Sequence, residues 1–122
     1  MLICDNNFSR QDLSVFSEFI NLIDIDLGTN NKQLIDRGIY NRFYGSLEHL
    51  KNLKKLANLD IRSTDIDNGL EYLPKNVKKI HCDSLKEDSA CWKIQKELKN
   101  YTFRRQETSA YGYKYKVYDF QP

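Results

Sequence analysis

The chain lacks any apolar run long enough to span a bilayer, and its opening residues, MLICDNNF, put Asp5 where a secretion leader needs uninterrupted apolar length. It holds only three cysteines, Cys4, Cys82 and Cys91, with no C-x-x-C spacing among them. An odd count without a leader fits reduced thiols in a cytoplasmic protein rather than a disulfide framework. Charge of one sign is not in excess either: nineteen basic against seventeen acidic residues leave +2. That is too little to imply a nucleic-acid or membrane partner by itself. Glycine and proline are scarce, five and two in 122 residues, within a composition that is 40% hydrophobic and 30% charged. These are the proportions of one globular domain with a modest core.

What the sequence does contain is a repeat. Leu13, Phe16, Phe19, Leu22, Ile25 and Leu27 return as Leu47, Leu50, Leu53, Leu56, Leu59 and Ile61, each displaced by 34 residues. Apolar residues every three positions smear around an α-helix, since each step advances about 300°. The endings Ile25-x-Leu27 and Leu59-x-Ile61 alternate with period two and read as strands. A threefold period running into a short strand is the leucine-rich pattern L-x-x-L-x-L-x-x-N.

Further copies follow. Cys4 and Cys82 are equivalent to Leu27 and Ile61, giving steps of 23, 34 and 21 residues. The long step resolves into 23 plus 11 if NKQLIDRGIYN, near 31–41, is an insertion on a projecting loop, whose Leu34, Ile35, Ile39 and Tyr40 either extend the binding face or, the reading slightly preferred, tuck back to cover the rim. Asn7/Leu13, Asn41/Leu47 and Thr64/Leu70 share a six-residue spacing, and Asn30 and Asn41 compete for one slot after the strand. An asparagine buried there can bond backbone groups that the sheet leaves unpaired, as expected of Asn7 and Asn30, with Thr64 a weaker substitute. Helical return segments are expected over 12–19 and 46–56.

Residues 41–84, NRFYGSLEHLKNLKKLANLDIRSTDIDNGLEYLPKNVKKIHCDS, resemble the large leucine-rich-repeat families expanded in arbuscular mycorrhizal fungi. Members read NRFxGSLxxLKNL, then TDIDxGLEYLP, then a strand ending in cysteine. The resemblance implies a multi-repeat protein that mediates protein contacts. No kinase glycine-rich or catalytic loop is present, so the kinase activity of some members is not carried over.

The expected architecture is α/β: a short leucine-rich-repeat solenoid of parallel strands and helical returns over 1–84, closed by a capping helix and β-tail over 85–122. The start at Met1-Leu2 falls inside a strand, with no capping segment ahead of it. Either the chain is a fragment of a longer repeat protein, the favoured expectation, or an open N-terminal edge docks on another chain and makes an oligomer.

The function expected of such a fold is non-catalytic protein binding on the concave strand face. Its outward residues are Asp24, Asp26 and Thr29, then Asn58, Asp60, Arg62 and Ser63, then Lys79 and His81, flanked by Ile3, Asp5, Asn6, Asp83 and Ser84. Asp26 and Asp60, with Asp24 beside them, would receive a basic peptide, unless Arg62 and Lys79 offset them as an ordinary solvated face. Hydrolysis by the Asp26/Asp60 pair is disfavoured because an open sheet encloses no pocket. His81 and Cys82 point to opposite faces of a strand, which argues against a shared metal ion. No cofactor is implied.

The stretch SLKEDSACWKIQKELKNY reads as a helix, with Ser84 and Glu87 as a capping box and Cys91, Ile94, Leu98 and Tyr101 as its apolar stripe. Alternation at Tyr111, Tyr113, Tyr115 and Val117 reads as a strand, hairpin-paired with YTFRRQ. Residues 93–118 hold seven Lys/Arg against two Glu, with six aromatics among them. That mixture makes nucleic-acid binding the competing function, ranked below protein binding for want of a recognised motif.

Overall fold

The computed structural model describes residues 7–29, 31–82, 88–108, 112 and 114–119. The expected first strand around Cys4, the flanking Ile3, Asp5, Asn6, Asp83 and Ser84, the slot at Asn30, the Ser84/Glu87 box, Tyr111 and Tyr113 lie outside them.

A spacing of three suits the 3-10 helix, with three residues per turn and i eclipsing i+3. The leucine repeats adopt that form: single 3-10 turns span Leu13–Phe16, Leu47–Leu50 and Leu70–Tyr72. The longer helices expected over 12–19 and 46–56 do not form. An α-helix would carry every third leucine away from the core, whereas the tighter turn keeps Leu13, Leu47, Leu50 and Leu70 at 0% exposure. Side chains start two of these turns. Asp12 accepts from the Ser14 N–H at 3.0 Å and Ser46 from the Glu48 N–H at 3.0 Å. Hydrogen bonds from the Ser14 hydroxyl and N–H hold the Asp12 carboxyl below its ordinary pKa, with His49 adding a smaller pull. Gly69 starts the third turn at φ 98°, where a Cβ would stand 2.5 Å from Ser46 Oγ and 2.7 Å from the Leu47 nitrogen.

The strands and helices run β1 (Asp24–Asp26), α1 (Lys32–Asp36), β2 (Tyr44–Ser46), β3 (Asn58–Asp60), β4 (Asp65–Asn68), β5 (Lys79–His81), α2 (Trp92–Glu97), β6 (Thr102–Thr108) and β7 (Lys114–Asp119). The described residues are mixed α/β with two sheets. One has the order β1-β3-β5-β7-β6, and the other pairs β2 with β4. β1, β3 and β5 are parallel, with Ile25, Leu59 and Ile80 opposite one another and all buried. Two residues on, Leu27, Ile61 and Cys82 are buried in turn, and the Leu27 and Ile61 N–H groups continue the ladder to the Asp60 and His81 carbonyls. The 34-residue offset is thus a physical adjacency. Lys55 reaches Asn21 and Asn58 bonds Asp24, both 34 residues away.

The offset does not preserve burial everywhere. Leu53 is fully buried, yet its counterpart Phe19 is 48% exposed. Val15, Ile20 and Ile23 are exposed with it, because the first copy has no neighbour among the described residues on that side.

Of the two candidate asparagines among the described residues, the buried one is Asn41, at 1% exposure. Its Nδ2 donates to the Leu27 carbonyl at 2.9 Å, and its Oδ1 accepts from the Phe8 N–H at 3.4 Å. Asn7, expected to fill this role, is instead exposed and accepts from Arg42. Thr64, at 2% exposure, serves the same end by donating to the Ile61 carbonyl at 2.8 Å. Asn41→Ala strands a buried carbonyl and is expected to cost about 1–3 kcal/mol, against nearly nothing for Asn7→Ala. Urea melts of the two variants check this.

Within the inserted segment, Lys32–Asp36 folds as α1 where a loop was expected. Asn31 caps it by accepting from the Gln33 and Leu34 N–H groups, and Gly38 follows its end at φ 77°. Ile35 is buried while Leu34, Ile39 and Tyr40 are half-buried, so these side chains turn inward. The helix expected from Ser84 onward begins only at Trp92. Its approach is tied back to β4, with the Cys91 N–H on the Thr64 carbonyl at 3.2 Å and the Ala90 N–H on Asp65 Oδ1 at 3.0 Å. Cys91, Ile94 and Leu98 are buried as a stripe. The β6–β7 hairpin follows, and β7 joins β5 antiparallel at Lys79↔Val117.

Tyr101, packed against the core, has its pKa raised above its ordinary value of 10.0, first by desolvation and then by Glu71 and Glu97. The folded state therefore favours the neutral phenol. Its stabilising contribution is complete below about pH 10 and fades as pH climbs through the raised folded value. Melting temperature should fall more steeply above pH 10 in the wild type than in Tyr101→Phe, as thermal scans at pH 9 to 11 would show.

Candidate binding face

Because successive strand residues alternate faces, burying Ile25, Leu59 and Ile80 sends their neighbours to the opposite side. Two rows of polar side chains result: Asp24, Asn58 and Lys79, then Asp26, Asp60 and His81. Six of the nine described residues expected on the binding face thus share one surface, and Arg62 adjoins it just past the end of β3.

Their accessibility is uneven. Asp24 is exposed; Asp26, Asn58, Arg62, Lys79 and His81 are partly exposed. Asp60, expected to be outward and available, is only 8% exposed. The cause is Arg62, whose guanidinium lies against both Asp60 oxygens at 2.6–3.0 Å while its own N–H caps Asp60 Oδ1 at 3.0 Å. A forked cation and a forked anion two residues apart close a small ring that shields the carboxylate. Gly28 permits this packing, since a Cβ there would meet Asp60 Oδ1 at 2.4 Å and the Arg62 nitrogen at 2.8 Å. Asp26 turns one oxygen to the Gly28 N–H at 3.3 Å.

Thr29 and Ser63, also expected on this face, are 1% exposed and belong to the interior of the turns that leave β1 and β3. Ser63 sits at φ 61°, in the left-handed region that non-glycine residues adopt uncommonly. The electrostatic pattern is therefore not a uniform acidic strip. Carboxylates Asp24 and Asp26 stand on β1, a neutralised pair sits at the centre, and Lys79 and His81 stand on β5.

With both Asp60 oxygens held by Arg62, the Asp26/Asp60 pair has lost the free second carboxylate that acid–base hydrolysis needs. Among the described residues no group of three or more His, Cys, Asp or Glu side chains could hold a metal ion, and no helix is long and apolar enough to cross a membrane.

A second feature joins three lysines of the basic segment 93–118 to a residue that the sequence reading had not singled out. The exposed Trp92 begins α2 and opens onto a groove of about 540 Å³ lined also by Lys93, Lys96 and Lys99. The signal was present as lysines one, four and seven residues after the single tryptophan, but α2 had to be placed before they shared a side.

Compared with known proteins, the chain matches no family model, no curated protein and no solved structure.

Proposed function

We propose that this protein is a leucine-rich-repeat module, a short solenoid that binds a partner protein on the face of β1, β3 and β5. The carrying observation is the pair of in-register polar rows, Asp24-Asn58-Lys79 and Asp26-Asp60-His81, presented over an apolar interior. Rows repeating about every 4.8 Å offer an extended partner evenly spaced contacts with no enclosed pocket. The role is non-catalytic and cytoplasmic.

The charge distribution refines the partner. A basic segment suits the β1 side, where Asp24 and Asp26 stand, and acidic or neutral residues suit the β5 side at Lys79 and His81. Charges at such an interface chiefly set orientation and association rate. The test is to identify partners by affinity capture, purify one, and titrate it against wild type and Asp24→Lys/Asp26→Lys. Asp60 is left untouched because its ion pair is structural. The expected result is affinity at least about tenfold weaker for the variant, mostly through slower association. Equal affinity for both proteins would remove the β1 side from the binding face.

A further inference from the structure

The geometry points to a second binding site, on the groove beside α2, that takes single-stranded nucleic acid by stacking a base on Trp92. Cys91, Ile94 and Leu98 hold α2 against the core, so the opposite side of the helix is fixed while remaining open. Trp92 stands there 51% exposed, a large apolar surface that folding has not used. Lys93 Nζ lies 5.9 Å from the ring centroid and 3.9 Å from Asp67, leaving the rest of the indole open. Lys96 and Lys99 are exposed and form no hydrogen bond or ion pair among the described residues.

The groove contains two carboxylates as well. Asp67 is answered by Lys93 and by the Asn68 amide at 2.6 Å, and Glu97 is half-buried beside Tyr101. Three lysines against two acids leave the groove positive.

Three polyanionic surfaces could answer such a charge. A lipid surface is disfavoured, because the apolar face of α2 is already spent on the core and only Trp92 remains to insert. An acidic peptide would satisfy the lysines but offers the indole no planar partner. Single-stranded nucleic acid supplies phosphates and flat bases together, and stacking on an aromatic ring tolerates any sequence.

Trp92 is the chain's only tryptophan, so its fluorescence reports this site alone. Titrating the full chain with oligo-uridylate at low salt should give saturable quenching. Contacts to about three phosphates predict a slope of log affinity against log salt near −2. By anisotropy of a labelled oligonucleotide, Trp92→Ala should bind roughly tenfold more weakly and Trp92→Phe should keep most of the affinity. Lys96→Glu/Lys99→Glu should weaken binding and flatten the salt slope by about 1.4. Circular dichroism should show each variant folded, since none of these side chains is buried. Four results would overturn the assignment: no quenching at low salt, Trp92→Ala binding within twofold of wild type, polyglutamate quenching as well as the oligonucleotide does, or a blue shift on phosphatidylserine vesicles at lower concentration than RNA binding requires.

Discussion

Leu59→Ala is expected to lower stability by about 3–4 kcal/mol, enough to drop the melting temperature by on the order of 10–15 °C. Leu59 is the middle residue of the middle parallel strand, 1% exposed, with Ile25 opposite on one side and Ile80 on the other. Truncation removes the transfer energy of three carbons and leaves a cavity that two paired backbones cannot close. Since domains of this size are stable by only about 5–15 kcal/mol, one such change consumes a large fraction of the total. Phe19→Ala supplies the contrast. Phe19 belongs to the same repeat pattern but is 48% exposed, so its loss should cost under about 1 kcal/mol. Chemical denaturation of both variants measures the difference, and equal costs would mean that burial does not follow the strand register described above.

Arg62→Ala is the second large effect, at about 2–3 kcal/mol. With Arg62 in place the Asp60 side chain is 10% accessible and Arg62 27%; removing the guanidinium takes away both the ion pair and the cover, leaving the carboxylate the backbone N–H at residue 62 and whatever water the opened side admits. Stranding one member of a fully buried pair costs about 3–5 kcal/mol, and the partial exposure of Arg62 reduces that figure. The pair itself is worth much less than its disruption. Asp60→Asn/Arg62→Leu keeps the Oδ1 acceptor for the turn and removes both charges, so it should recover most of the loss. A double-mutant cycle in urea would read strong non-additivity. Additive costs would show that the two side chains are not coupled.

The parallel strands were legible in the sequence because each repeat ends in the same short apolar alternation, so Ile25, Leu59 and Ile80 hold equivalent places although the steps between them are 34 and 21 residues. The form of the returns was less legible. A period of three excludes an α-helical stripe but says nothing about length, and the turns close after three or four residues. Three asparagines matched the slot after the strand, and no local rule separates Asn7 from Asn41. Only the approach of the Leu27 carbonyl and the Phe8 amide decides it. On the binding face, register predicted the direction of Asp60 but not its closure by Arg62, which depends on a turn two residues away. The β5–β7 pairing joins Lys79 to Val117 without any repeat to announce it. The lysines of the Trp92 groove were legible as part of a basic segment, but their grouping around Trp92 needed the backbone path.

The central claim is that three short strands, distant in sequence, lie parallel with Ile25, Leu59 and Ile80 side by side. A nuclear Overhauser experiment on isotope-labelled protein tests it directly. The account predicts cross-strand amide and α-proton contacts joining residues 24–26 to 58–60 and 58–60 to 79–81. Medium-range contacts running unbroken from residue 13 to residue 27, with no cross-strand signals, would mean one continuous helix there and would contradict it.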